Sequence, residues 1–205
     1  MKLINSTTLV KSKHVVNIIP VTGTVEMSQA NHTRFILMEE GILTGAKFSM
    51  TGVVAASVNS SFTIVGRGIV IETPGILIPE ERFAIINSSE PGHLSYIDGC
   101  SNTNLVDPAR NGDPCLNYLH FPAGINQTFH SHPSIRIGII LKGQGTASLH
   151  DQEIDLTPGT IFLLDRHVIH RFRTEDQMMS LAVFHPDSED GPRDEFNPMK
   201  SRTYI

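Results

Sequence analysis

The sequence predicts an all-β protein, a sandwich or barrel built from many short strands. Short apolar runs of strand length, many of them rich in Val, Ile, Phe and Thr, alternate with Gly, Pro, Asn and Ser. Few windows keep apolar residues at helical spacing over three turns, so helix is expected to be scarce. With 205 residues, 40% apolar and 18% charged, the chain is long and apolar enough to bury a core.

The candidate strands follow one another along the chain, separated by turn residues. In order they are Val15–Val21, Arg34–Met38, Ser61–Val65, Gly68–Ile71, Gly75–Ile78, Phe83–Ile86, Leu116–Phe121, Ile135–Leu141, Thr146–His150, Thr160–Leu164 and Ser180–His185. The segment Ile71–Ile78 is similar to Asp155–Phe162, and both contain Thr-Pro-Gly. Two interpretations stay open: a duplicated β-unit, or two unrelated Pro-Gly turns.

Composition along the chain predicts three regions. Residues 1–111 form an N-terminal β-rich unit, residues 112–186 form a second β-unit, and residues 187–205 form a polar tail. The stretch Asp98–Pro114 is rich in Asn, Asp, Gly and Pro and is expected to connect the two units.

Charge and hydropathy exclude several classes of protein. The net charge of −5 argues against nucleic-acid binding. No apolar run is long enough to span a membrane, and the first residues have no secretory signal pattern. The two cysteines, Cys100 and Cys115, lack a CxxC spacing and are expected to be free thiols. We therefore expect a cytoplasmic protein without a nucleic-acid or membrane partner.

Ten histidines are the unusual feature of the composition. Residues at i and i+2 of a strand point to the same face, so His130 and His132 can direct their imidazoles at one point, as a chelated metal needs. By the same alternation Arg136 faces that side. His170 follows after two turns and two strands, and a small barrel brings such strands side by side.

These residues resemble the two motifs of the cupin superfamily. Gly124, His130, His132 and Gly143 fit the first motif, G-x5-H-x-H-x3/4-E-x6-G, and Gly159 and His170 fit the second, G-x5-P-x-G-x2-H-x3-N. The resemblance covers about residues 112–186. It implies a jelly-roll barrel of the double-stranded β-helix type. If the duplication is real, the chain is a bicupin whose N-terminal unit is degenerate and lacks a metal site.

Three departures from the motifs change the expected site. Arg136 stands where cupins usually have a metal-binding Glu, and a guanidinium offers no lone pair to a metal. Asp165 and His167 replace the Pro and Gly of the second motif, and Thr174 replaces its Asn. The resemblance then implies at most a three-histidine site of His130, His132 and His170. Fe(II) is the favoured ion, with Zn, Mn or Ni as alternatives.

Three functions remain open from the sequence. The first is a metal-dependent, dioxygenase-like enzyme in which Arg136 binds a small anionic substrate and Tyr118 faces the cavity as a proton donor. The second is a barrel that binds a small ligand without catalysis. The third is a metal-free isomerase or dehydratase of a sugar-like substrate. Because edge strands of such barrels often pair between subunits, a homodimer is expected.

Overall fold

The structure, a computed structural model, describes residues 1–11, 15–110 and 112–187. Within them the chain is all-β, as predicted, and its only helix is the 3-10 turn η1 (Ile97–Gly99). The strands are β1 (Lys2–Leu3), β2 (Thr8–Lys11), β3 (Val15–Met27), β4 (Arg34–Gly45), β5 (Phe48–Thr51), β6 (Val54–Val58), β7 (Phe62–Glu72), β8 (Arg82–Ile85), β9 (Leu94–Ser95), β10 (Ser101–Val106), β11 (Cys115–Phe121), β12 (Arg136–Gly143), β13 (Gly145–Leu149), β14 (Glu153–Leu156), β15 (Ile161–Leu164), β16 (His170–Arg173) and β17 (Met179–His185).

The C-terminal half is a barrel made of two antiparallel sheets. The larger sheet has the strand order β1-β15-β12-β17-β11-β10-β9, and the smaller has the order β14-β13-β16. Phe162 and Leu181 of the larger sheet share one apolar cluster with Leu156 and Phe172 of the smaller. The two sheets therefore pack face to face, as in a jelly roll.

The larger C-terminal sheet is buried on both faces. On β12, Ile137 and Ile139 belong to the core shared with the N-terminal half. Ile140 belongs to the barrel interior, and Arg136 lines the cavity there. The strand has a near-continuous apolar sequence because it must fill two cores at once.

The N-terminal half forms a second large antiparallel sheet, in the order β2-β3-β7-β4-β6-β8. One face packs on the C-terminal sheet, and the other carries a separate apolar cluster that includes Ile36, Met38 and Ile64. This arrangement of two large sheets is consistent with the bicupin that the sequence left open.

Two of the predicted strands are parts of one continuous strand, which runs through a row of glycines. Gly66 on β7 pairs with Gly23 on β3 and with Gly41 on β4. A Cβ on Gly66 would overlap the carbonyl oxygen of Glu40, and its φ is +148°. The strands approach closely and continue through this row, so the predicted Ser61–Val65 and Gly68–Ile71 are both parts of β7.

Two other local predictions need correction. The segment Gly75–Ile78 is not a strand, because its backbone bonds to the neighbouring Thr33: Thr33 N donates to Ile76 O, and Ile78 N donates to Thr33 Oγ1. The Asn-rich stretch predicted as a connector contains β10, which pairs with β11.

The predicted division at residue 111 does not coincide with the sheet boundary. Strands β9 and β10 precede it, and β1 lies at the start of the chain, yet all three belong to the larger C-terminal sheet. Of the predicted tail, only Asp187 lies within the described residues. Both cysteines are free and buried. No helix in the described ranges has the length and apolarity to cross a membrane.

Candidate metal centre

His130, His132 and His170 converge at one end of the barrel. Their ligand nitrogens all lie within 4.8 Å of one another. His130 and His170 form an antiparallel bridge with reciprocal backbone hydrogen bonds of 3.0 and 2.9 Å. Directly opposed residues share a face, so their rings lie 4.6 Å apart between centroids. His132 is two residues from His130 and joins them, with its ring 5.2 Å from that of His170.

Backbone carbonyls orient two of the three imidazoles. Nδ1 of His130 lies 2.9 Å from the oxygen of Thr128, and Nδ1 of His170 lies 2.8 Å from the oxygen of Val168. A carbonyl only accepts, so each Nδ1 carries the proton and each Nε2 keeps its lone pair. This is the arrangement in which metal-binding histidines are usually held.

Burial keeps His132 and His170 neutral. Burial lowers the pKa of His132 to about 3, with Arg136 and the other two histidines acting in the same direction. Burial also lowers the pKa of His170 to about 4, against the opposing effect of the Val168 carbonyl. Only a neutral imidazole can bind a metal, so these two residues are in the required state at pH 7.

The three residues fit a divalent ion. Nε2 of His170 is buried and has no hydrogen-bond partner among the described residues, which is unfavourable unless another group binds there. Ligand atoms at neighbouring corners of a tetrahedral site lie about 3.3 Å apart when each bond is ~2.0–2.1 Å. The three ligand nitrogens lie within 4.8 Å of one another, so the imidazoles would turn toward a common point to bind one ion.

A small cavity lies beside the histidines. It encloses about 80 Å³, well below the ~300–1,000 Å³ of pockets for drug-sized ligands. No acidic side chain is present among its lining residues, which are Tyr96, Asn102, Asn117, Leu119, Phe121, Gln127, His130, His132, Arg136, Phe162, Leu164, His170, Phe172, Val183 and His185. Its size suits an ion together with a small organic molecule.

Arg136 lies in this cavity with the histidines, as expected, but the predicted continuous strand is absent: residues 131–135 are not strand, and β12 begins at Arg136. Its Nη1 donates to the backbone oxygens of Ser134 and Ile135 at 3.2 and 2.8 Å, and to Ser134 Oγ at 2.7 Å. Burial lowers the pKa of Arg136 to about 10, although Asp187 opposes the shift. The guanidinium therefore stays charged at pH 7.

The structure corrects the expectation for Tyr118, which does not line the cavity. On β11 the residues Asn117, Leu119 and Phe121 face the barrel interior. Tyr118 points the other way, into the core between the large sheets, and its hydroxyl donates to Glu90 O at 2.8 Å. The tyrosine that does line the cavity is Tyr96, just before η1.

His185 is another cavity residue that the sequence reasoning missed. It continues the inward alternation of Leu181 and Val183 on β17, and that alternation could have identified it from the sequence. His120 is buried outside the cavity. His167 is an exposed turn residue with φ +59°, and its N–H donates to His132 O at 2.8 Å.

The chain is similar in sequence to known proteins over part of its length. The family model described as the AraC-like ligand binding domain matches residues 118–190. L-ectoine synthase from Mycobacterium sp. is 37% identical over 60 residues, which are 28% of this chain and 46% of that protein. L-ectoine synthase from Nocardia farcinica is 36% identical over 66 residues, which are 31% of this chain and 50% of that protein. The chain thus spans about half the length of these relatives.

Solved structures with the same fold cover most of the chain. A cupin 2 conserved barrel domain protein from Leptotrichia buccalis has a TM-score of 0.58 and 11% identity, covering 89% of this chain and 88% of its own. Salicylate 1,2-dioxygenase from Pseudaminobacter salicylatoxidans has a TM-score of 0.59 and 11% identity, covering 84% and 70%. These similarities show that the chain has the fold of the cupin barrels.

Proposed function

We propose that this protein is a metal-dependent enzyme acting on a small anionic organic molecule. The observation that carries the proposal is the convergence of His130, His132 and His170, with two of the rings oriented by backbone carbonyls. The named relatives include enzymes, an ectoine synthase and a dioxygenase, which supports the enzymatic assignment.

The cavity argues for an anionic and small substrate. Arg136 supplies a positive charge within it, with the Asp187 carboxylate acting on the guanidinium. The lining amides of Asn102, Asn117 and Gln127 can bind polar groups, while Phe121 and Phe162 add apolar surface to the lining. A bound Fe(II) or similar ion would supply redox or Lewis-acid chemistry at the three imidazoles.

Metal analysis of protein purified without a nickel column tests the metal. We expect close to one divalent ion per chain in the wild type and almost none in His130→Ala or His170→Ala. His150→Ala is the matched control, because His150 is exposed and outside the cluster. Substoichiometric metal that does not change in His130→Ala would refute the site.

A second experiment tests whether the protein is an enzyme. Protein loaded anaerobically with Fe(II) is mixed with small carboxylic acids, including salicylate, and both O2 uptake and product formation are measured. Turnover that is lost in His170→Ala and persists in His150→Ala is the expected result.

A second function has a specific observation in its favour. The matching family model is described as a ligand binding domain, and a barrel of this fold can bind a small molecule without catalysis. A thermal-shift screen separates the two functions. Stabilisation by one small acid, with no turnover under any metal loading, would favour binding alone.

A further inference from the structure

A second pocket lies between the N-terminal sheet and the barrel, away from the histidines. It encloses about 380 Å³, within the ~300–1,000 Å³ range of small-molecule sites. Thr22, Glu39 and Arg67 line it from the N-terminal sheet, and Asn5 and Thr160 line it from the other side. We call it the interface pocket. Small-molecule sites occur preferentially at such junctions between units.

A β-bulge places a carboxylate in this pocket. The register of β4 against β7 shifts between Met38 and Glu40, so Glu39 is the extra residue without a partner on β7. Bulges change the direction in which a side chain points, and they often lie next to functional sites. Here the bulge directs Glu39 into the space between the two sheets, where its side chain is only 7% exposed.

Only one of the two carboxylate oxygens of Glu39 has a hydrogen-bond partner among the described residues. Oε1 of Glu39 accepts a hydrogen bond from Arg67 Nη2 at 3.1 Å, but Oε2 is buried and has no partner among the described residues. Burial raises the pKa of Glu39, and Arg67 opposes that shift. A buried acceptor without a donor is unfavourable for stability, so packing alone does not explain the residue.

Gly159 lies against both charged groups and has no side chain that would crowd them. A Cβ at this residue would lie 3.0 Å from Glu39 Oε2 and 3.8 Å from Arg67 Nη1. Arg67 uses Nη2 for Glu39 and Nε for Glu40, with the latter bond at 2.8 Å. The pocket wall thus holds a carboxylate with one unsatisfied oxygen beside the guanidinium that pairs with its other oxygen.

We propose that the interface pocket binds a free α-amino acid. The ammonium group would bind the Glu39 carboxylate, which would turn to bring Oε2 to the pocket, and the ligand's carboxylate would accept from Arg67 Nη1. Charge-assisted bonds of this kind are the strong ones, and the paired charges of the pocket match a zwitterion rather than an ion of one sign. Leu3, Ile139 and Ile161 offer apolar surface for the aliphatic part of the ligand. The proposal is independent of the metal centre.

Calorimetric titration with the common L-amino acids, at millimolar concentration, tests the proposal. At least one amino acid should bind. For leucine as the example, 4-methylpentanoate lacks the ammonium group and 3-methylbutylamine lacks the carboxylate. Each analogue should bind about tenfold or more weakly than its parent, since each loses one charged hydrogen bond.

Variants of residues in and near the interface pocket test whether the amino acid binds there. Glu39→Gln should weaken it about tenfold or more, because it removes the charge without changing the shape. Glu40→Gln is the matched control, since Glu40 also contacts Arg67 but does not line the pocket. His130→Ala should leave amino-acid binding unchanged, because the metal centre is separate.

A second variant keeps the test valid if Glu39→Gln does not fold. Thr22 is exposed at the pocket's rim, so Thr22→Trp should block entry without disturbing a buried group. Thr24→Trp, two residues along the same strand and outside the lining, is its control. Absence of any amino-acid binding, binding that persists in Thr22→Trp, or binding that disappears in His130→Ala would each overturn the proposal.

Discussion

Thr174 stands where the second cupin motif has Asn, and its hydroxyl holds the loop that leads to His130. Thr174 Oγ1 donates to Pro122 O at 2.5 Å and accepts from Ile125 N at 2.9 Å. The backbone N–H of Thr174 also donates to Ile125 O at 2.9 Å. Thr174→Val keeps the shape of the side chain and removes only the two hydroxyl bonds, which isolates their contribution.

The expected loss of stability in Thr174→Val follows from the two hydrogen bonds that its hydroxyl makes. A typical hydrogen bond contributes ~0.5–1.5 kcal/mol net, so removing both should lower the free energy of unfolding by about 2 kcal/mol. For a chain of 150–250 residues each kcal/mol lowers Tm by ~2–4 °C, which predicts a decrease of about 4–8 °C. Urea denaturation and calorimetry measure the two quantities.

Thr174→Ser is the matched control, because it keeps the hydroxyl and loses only a methyl group. We expect it to lose less stability than Thr174→Val. The loop ends at His130, so the increase in Tm that a divalent metal produces should also become smaller in Thr174→Val. A Thr174→Val protein within about 0.5 kcal/mol of the wild type would refute the reasoning, since two lost bonds must exceed that. Equal losses in the two variants would refute it as well.

Three further predictions concern other parts of the fold. Gly143→Ala should lower the free energy of unfolding by about 3 kcal/mol or more, because the added methyl group would overlap a backbone carbonyl oxygen. Gly124 also has a positive φ but lies in open space, so Gly124→Ala should lower it by only ~1–2 kcal/mol. Urea denaturation measures both. Burial raises the pKa of Glu72, but hydrogen bonds to an amide and a guanidinium outweigh it and the net pKa is lowered. The stability this carboxylate gives is present above its unfolded-state pKa and is lost as pH falls, so the difference in urea midpoint between wild type and Glu72→Gln should shrink from about pH 6 to about pH 3. Burial raises the pKa of Cys100 and Cys115 to about 11, so Ellman's reagent at about pH 8 should react with them only after unfolding; fast reaction of the native protein would contradict this.

The sequence predicted those features of the fold that depend on local patterns. Short apolar runs and Pro-Gly turns predicted the all-β class. Arg136 lines the cavity with the histidines as expected, although residues 131–135 between them are not strand and the alternation of one strand is not the reason. Motif spacing correctly predicted that His170 lies beside His130, 40 positions away, because the pairing of β12 with β15 and of β13 with β16 returns the chain to it.

Features that depend on pairing partners could not be predicted in this way. Tyr118 and Asn117 alternate on β11, and nothing local to that strand shows which face meets the cavity. Strand β10 has a polar sequence and exists because it pairs with β11 along the sheet. The bulge that directs Glu39 inward depends on a register shift against β7, which is distant in the sequence.

The larger C-terminal sheet connects the metal centre to the N-terminal half. Each of its central strands sends alternate residues to opposite cores: on β17, Val183 and His185 line the cavity, while Ala182 and Phe184 pack in the core shared with the N-terminal sheet. The ring of Phe184 lies 5.0 Å from that of Phe35 on β4, so this contact joins the two halves directly. Without the N-terminal sheet, the strand that carries His185 would expose its whole outer face to water. The N-terminal half, whose side chains are absent from the cluster of His130, His132 and His170, therefore has a structural function in the site, because it supports the outer face of the sheet whose inner face presents Arg136.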